Sequence, residues 1–289
     1  MENILHTVDP ETALSAVTIP RPPFFDLDQI LDCGQAFRFT RTSAGTYEGV
    51  VCGRAVRLLQ GPDSFSIINC TENEYHTIWR RYFALDADYP GIREELSRKG
   101  DDVLRRAMAK GEGIRILRQE PWETLCTFIL SQNNNIPRIR GLIAALSARW
   151  GSPIALGEKT FYTFPGPEAF LSAGPDEIFA LKTGFRAKYL YDAAEKITAG
   201  DVSFDRIHRA GFDDAMAELC RIRGVGPKVA ACVLLFAFDK TEAFPVDVWI
   251  KKAFSAYYPK GFDPRDFGRY AGIAQQYLFY YMRYGDALI

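Results

Sequence analysis

The stretch LCRIRGVGPKVAACVLLFAFDKTEAFPVDVWIKKAF runs from Leu219 to Phe254. A helical pattern over Asp213–Arg221 leads into Gly224-Val225-Gly226, where two glycines allow a tight turn and close approach of another backbone. Pro227 then opens a second helix at a position where its missing N–H does no harm. Two short helices joined in this way make a hairpin spanning residues 213–238. The backbone N–H groups of Gly224, Val225 and Gly226, with the positive end of the second helix, form an anion site. A DNA phosphate fits such a site without any contact to a base, so binding there is independent of sequence.

Lys228 falls in the first turn of the second helix. The positive helix end and a desolvating pocket both disfavour an ammonium there, which makes a neutral, nucleophilic amine more available. A lysine that contacts phosphate or solvent satisfies the same spacing. Asp247 follows Phe244-Pro245-Val246 and precedes a helical pattern over Val248–Tyr258. Aspartate is a favoured N-cap residue. A capping carboxylate is also a fixed one, able to stabilise positive charge developing on a sugar.

Outward from this segment the chain changes character near residue 116. Ala36–Thr40, Thr46–Cys52, Arg54–Gln60 and Ser64–Asn69 are short, rich in β-branched and aromatic residues, and separated by Gly or Pro signals. Their close spacing predicts an antiparallel meander. Helical patterns follow at Glu72–Ala84 and Asp101–Lys110. Beyond residue 116 helices are expected at Pro121–Gln132, Ile136–Trp150, Pro175–Leu181, Ala187–Ala199 and Pro264–Tyr284, beside those already given. The expected fold class is α+β. A twisted antiparallel sheet domain over residues 1–116 precedes a mostly helical domain over residues 117–289.

The 289 residues are 47% hydrophobic and 25% charged, with a net charge of −1, a balance that argues against global disorder. No segment approaches the ~20 apolar residues of a membrane helix. The first residues, MENILHTVDPETALSAV, carry acids early and no cationic stretch before an apolar run, so a secretory signal is not expected. No two of the six cysteines form Cys-x-x-Cys and the three histidines are scattered, which argues against a zinc site or an iron–sulfur loop. Residues 221–260 hold seven Lys/Arg against three Asp/Glu, a local basic excess able to face phosphates.

Gly-Val-Gly-Pro-Lys followed by Pro-Val-Asp closely resembles the helix-hairpin-helix DNA glycosylase superfamily. Four more blocks resemble its 8-oxoguanine DNA glycosylase/AP lyase family, in the family's order. They are Cys33-Gly34-Gln35-Ala36-Phe37-Arg38, Ser131-Gln132-Asn133-Asn134-Asn135-Ile136, Gly184-Phe185-Arg186-Ala187 and Ala274-Gln275-Gln276-Tyr277-Leu278-Phe279. Together the matches span residues 33 to 279. The resemblance implies excision of 8-oxoguanine paired with cytosine in duplex DNA, followed by strand incision. Lys228 is the implied nucleophile and Asp247 the implied stabiliser of the cationic sugar, with no metal or other cofactor.

Guanine N7 is a hydrogen-bond acceptor, whereas the oxidised base carries N7–H, so a backbone carbonyl can tell them apart. By resemblance that carbonyl belongs to Gly34. Gln275 and Phe279 share a helix face. The resemblance has Gln275 reading the Watson–Crick edge and Cys232 and Phe279 sandwiching the base. It assigns Asn133, Arg138, Phe185 and Arg186 to the gap and the opposing cytosine. Phe185 stands where a tyrosine is usual in animal-type members, Trp249 replaces a phosphate-contacting histidine, and Pro227 replaces a threonine. Monomeric action inside the cell is the family expectation, in the cytoplasm or nucleoid of a bacterium or the nucleus of a eukaryote. Two rivals are a monofunctional alkylpurine glycosylase, which lacks a lysine at position 228, and a non-catalytic hairpin module that only binds DNA.

Overall fold

The computed structural model describes residues 4–10 and 12–285. A six-stranded antiparallel sheet comes first. It holds β1 (Leu5–Val8), β2 (Ser15–Pro20), β3 (Phe39–Ser43), β4 (Thr46–Val51), β5 (Arg54–Gln60) and β6 (Ser64–Ile68), in the order β1-β2-β6-β5-β4-β3. The meander read from the sequence is β3 to β6. The strand expected at Ala36–Thr40 starts three residues later, because residues 33–38 form a loop held by side chains from elsewhere. The β1–β2 hairpin was not foreseen. Helix α1 (Leu27–Asp32), capped by the Asp26 side chain, crosses from β2 to β3.

The expected helix at Glu72–Ala84 is one helical run with an internal π turn. It comprises α2 (Glu72–Glu74), a π segment (Tyr75–Trp79) and α3 (Arg80–Tyr82). Its Tyr75, Trp79 and Phe83 pack with Phe65 and Leu58 of the sheet in one buried cluster. Fully burying one such aromatic contributes about 1.5–3 kcal/mol, so this face anchors the sheet.

The remaining helices are α4 (Tyr89–Ser97), α5 (Asp102–Lys110), α6 (Pro121–Leu130), α7 (Ile136–Trp150), α8 (Pro167–Ile178), α9 (Ala187–Thr198), α10 (Phe204–Arg209), α11 (Phe212–Cys220), α12 (Pro227–Ala237), α13 (Val248–Tyr257) and α14 (Ala271–Tyr284). The helix expected to start at Pro175 does so after a break at Gly174 inside α8. The one expected over Pro264–Tyr284 is split at Gly268 into a 3-10 segment and α14. Helix α12 is buried along almost its whole length and packs on α6. The Phe128 and Phe236 rings stack there at 5.4 Å. A hairpin of β7 (Pro153–Leu156) and β8 (Lys159–Tyr162) leans back on the large sheet. Lys159 Nζ meets the buried Glu48 at 2.7 Å.

Candidate active site

One cleft of about 830 Å³ opens between the 33–37 loop, the α6–α7 turn, the starts of α12 and α13, and α14. Gly34, Asn133, Gly226, Lys228, Cys232, Asp247, Gln275 and Phe279 all line it. Five separate stretches of sequence therefore converge on one site.

The hairpin sets the first wall. Gly224 has φ +79°, and a Cβ there would lie 2.3 Å from the Tyr189 ring. Only glycine lets α9 and the turn approach so closely. Val225 plugs into the core. The Lys196 ammonium donates to the Arg221 carbonyl at 2.6 Å, and Asp192 accepts from the Arg223 N–H at 2.7 Å, which fixes the turn on α9. No side chain caps α12. Helix starts leave N–H groups without intrahelical acceptors, but the Val225 N–H, expected as part of the anion site, donates instead to the Ile222 carbonyl at 3.0 Å, and the Ala230 N–H donates to the Gly226 carbonyl.

Lys228 is half-buried in that first turn, its Nζ 5.7 Å from the centre of the Phe128 ring. Cys232 lies one turn further on and is buried. Burial pushes its thiol above the usual range; the Lys228 ammonium pulls it down and the Asp247 carboxylate pushes it up. Both charges therefore act at one sulfur. Asp247 caps α13, as its position before a helical pattern implied. Its Oδ1 accepts from the Trp249 N–H at 3.0 Å and the Ile250 N–H at 2.9 Å. Its Oδ2 takes no donor among the described residues. The carboxylate is thus held by one oxygen and available through the other.

Helix α14 and the 33–37 loop make the opposite wall. Gly34 adopts φ +78°, and an added Cβ would sit 3.3 Å from the Phe279 ring. Gln275 is 4% exposed, yet its Oε1 has no hydrogen-bond partner. A buried amide oxygen left unpaired costs about 1–3 kcal/mol, a cost that a ligand donor in the cleft removes.

The remaining expected residues divide. Asn133 sits at an exposed turn with φ +47°, while its neighbour Asn135 caps α7 by accepting from the Arg138 N–H. Arg138, Phe185 and Arg186 lie outside the cleft walls; of the three, Arg186 reaches Asn133, at its carbonyl. Arg186 is buried and donates to the carbonyls of Gln132, Asn133 and Thr183. Its guanidinium also lies 4.4 Å over the half-exposed Phe185 ring. Arg138 is exposed and donates to the Lys182 carbonyl.

Sequence reasoning missed Lys251 and Arg283, two further cations of the cleft. Their signal was available: Lys251 lies four residues after Asp247, one turn along the same helix. It also missed the buried glutamines Gln35 and Gln276, whose partners lie on distant segments. Among the described residues no group of three or more His, Cys, Asp or Glu side chains is placed to hold a metal ion. No helix there is long and apolar enough to cross a membrane. The six cysteines are unpaired.

A family model described as the 8-oxoguanine DNA glycosylase N-terminal domain matches residues 18–125. One described as the HhH-GPD superfamily of base excision DNA repair proteins matches residues 126–264. A probable N-glycosylase/DNA lyase of Methanothermobacter thermautotrophicus is 31% identical over 63% of this chain and 68% of its own length. The 8-oxoguanine glycosylase/lyase of Clostridium acetobutylicum, solved in its apo form, is 37% identical with a TM-score of 0.90, covering 96% of this chain and 98% of that one. The same enzyme in complex with duplex DNA containing cytosine opposite 8-oxoguanine is 36% identical, with a TM-score of 0.89 and 97% of each chain covered.

Proposed function

The chain belongs to the 8-oxoguanine DNA glycosylase/lyase family of the HhH-GPD repair superfamily, and from that premise we propose that it excises 8-oxoguanine paired with cytosine by lysine Schiff-base chemistry and then incises the strand. What carries the reading is the convergence of Lys228, Asp247, Gly34, Gln275 and Phe279 on one cleft. In this reading residues 1–116 supply the Gly34 loop and residues 117–289 supply the nucleophile. The protein works as a monomer on duplex DNA within the cell.

The hairpin glycines and the uncapped start of α12 take a backbone phosphate, and the lesion leaves the stack at a cost of a few kcal/mol. Cys232 and Phe279 close on its two faces, and Gln275 Oε1 accepts from its Watson–Crick edge. The Gly34 carbonyl accepts from N7–H and faces a lone pair on guanine instead, which repels it. The Lys228 amine attacks C1′, the glycosidic C–N bond breaks, and its electron pair leaves with the base, which takes up a proton. Asp247 stabilises the positive charge that builds on the sugar. Ring opening gives a C1′ iminium on Lys228. That iminium acidifies the C2′ hydrogen, so its loss expels the 3′ phosphate.

Asn133 fills the gap left in the duplex. Arg138 and Arg186 carry the planar donors that suit the freed acceptors of cytosine. Arg186 reaches them by exchanging its bonds to the Gln132 and Asn133 carbonyls. Phe185 serves as a stacking wedge without a hydroxyl.

Borohydride trapping tests the proposal. A covalent adduct is expected on a duplex with one 8-oxoguanine opposite cytosine, and none on undamaged guanine or 3-methyladenine duplexes. Released base without an adduct means a monofunctional enzyme led by Asp247. Binding without release means a hairpin that only holds DNA.

Gly34→Ala tests the specificity wall. An alanine at φ +78° is strained by about 1–2 kcal/mol, and its Cβ presses on the Phe279 ring. Excision of 8-oxoguanine is expected to fall roughly tenfold or more, while cleavage of a preformed abasic site changes little. Equal losses on both substrates, measured in single-turnover assays, would remove Gly34 from base recognition.

A further inference from the structure

The loop that presents Gly34 is pinned on both sides of that residue. Gln276 Nε2 donates to the Cys33 carbonyl at 2.5 Å, in full burial. The Tyr284 hydroxyl lies 3.0 Å from both the carbonyl and Oδ2 of Asp32. On the other side, Gln35 Nε2 donates to the Arg115 carbonyl at 2.8 Å, its Oε1 accepts from the Leu117 N–H at 2.9 Å, and its own carbonyl accepts from Gln119. Gly34 itself makes none of these bonds.

Two of the clamps, Gln276 and Tyr284, come from α14. The same helix carries Gln275, whose buried Oε1 is unpaired, and Phe279, the ring that a Cβ on Gly34 would touch at 3.3 Å. One rigid helix therefore sets both the groups that face a base and the position of the peptide opposite them. We propose that Gln276, seconded by Tyr284, is a positioning residue for lesion discrimination. Its bond to the Cys33 carbonyl fixes where the Gly34 peptide stands relative to Gln275 and Phe279.

This inference rests on the base-recognition reading given above. Its physical content is distance. Discrimination between N7–H and a bare N7 needs an acceptor held at hydrogen-bond range of ~2.7–3.2 Å. If Cys33 loses its donor, a buried carbonyl is left unpaired and relaxes toward another partner. The Gly34 peptide, joined to it directly, then drifts from the lesion. The nucleophile and its carboxylate, on α12 and α13, are not on that loop.

Gln276→Met keeps the side-chain volume and removes the donor. Gln276→His restores a donor of comparable reach. Single-turnover rates are measured for each on an 8-oxoguanine duplex and on a preformed abasic duplex. For Gln276→Met the ratio of lesion excision to abasic cleavage is expected to fall about tenfold, and Gln276→His is expected to recover most of it. An unmoved ratio overturns the proposal. So does a ratio that falls in Gln276→Met and stays low in Gln276→His, because packing and not the hydrogen bond is then at work. Should Gln276→Met fail to fold, Tyr284→Phe carries the same ratio test at the half-buried end of α14, with a smaller fall expected and an unmoved ratio again decisive against it. Wild-type protein inactive on the lesion strikes the proposed function itself; an active wild type with an unmoved ratio strikes only the positioning role.

Discussion

Lys228→Gln is expected to abolish borohydride trapping and to lower excision of 8-oxoguanine by at least about 10³-fold, while lesion binding survives. Glutamine matches most of the lysine stem, so the start of α12 is kept, while the cation over the Phe128 ring is lost. What disappears is the amine that must bond to C1′. Its amide nitrogen is not nucleophilic, so no iminium forms and none can be reduced. Cleavage of a preformed abasic site should vanish with it, because in the proposed mechanism both steps pass through the same nitrogen. In the proposed mode binding rests on the uncapped N-terminus of α12 and on the cleft cations Lys251 and Arg283, so the variant loses one charge only. Gel-shift titration beside the trapping assay separates the two effects. Trapped adduct at wild-type yield would remove Lys228 from its role.

The legible part of this protein was the part whose chemistry is local in sequence. Gly224-Val225-Gly226-Pro227-Lys228 and Val246-Asp247 announce turn, helix start and cap within a few residues, and the structure builds each where expected. The β3–β6 meander was readable for the same reason, since pairing partners sit one turn apart. Strands β1 and β2 were not. All four residues of β1 are exposed, so no alternation marks them, and β2 pairs with β6 across more than forty residues. The π turn at Tyr75–Trp79 was hidden because its apolar spacing satisfies an ordinary helix.

Gln276 marks a deeper limit. Its partner, the Cys33 carbonyl, is 243 residues away. A polar side chain on an apolar helix face reads as exposed until the carbonyl above it is known. Arg186 went the other way: the family resemblance assigned it to the opposing cytosine, whereas three backbone carbonyls accept from it.

Asp247→Asn is expected to slow excision by about 10²–10³-fold while leaving the fold unchanged. The capping geometry makes this an unusually clean substitution. Asparagine caps helices about as well as aspartate, so Oδ1 can still accept from the Trp249 and Ile250 N–H groups, as it does now at 3.0 and 2.9 Å. The stability change is then confined to the loss of one negative charge at a helix N-terminus, about 0.3–1 kcal/mol. Asp247→Ala, by contrast, also removes the cap and costs roughly 1 kcal/mol more. If the carboxylate served only as a cap, Asn would be nearly silent and Ala alone would matter, through melting temperature. If its charge stabilises the developing sugar cation, both variants lose excision alike and only Ala melts early. Rates and thermal melts on the same two proteins therefore distinguish a structural aspartate from a catalytic one. An excision rate for Asp247→Asn within about threefold of wild type would leave the carboxylate with its helix and nothing more.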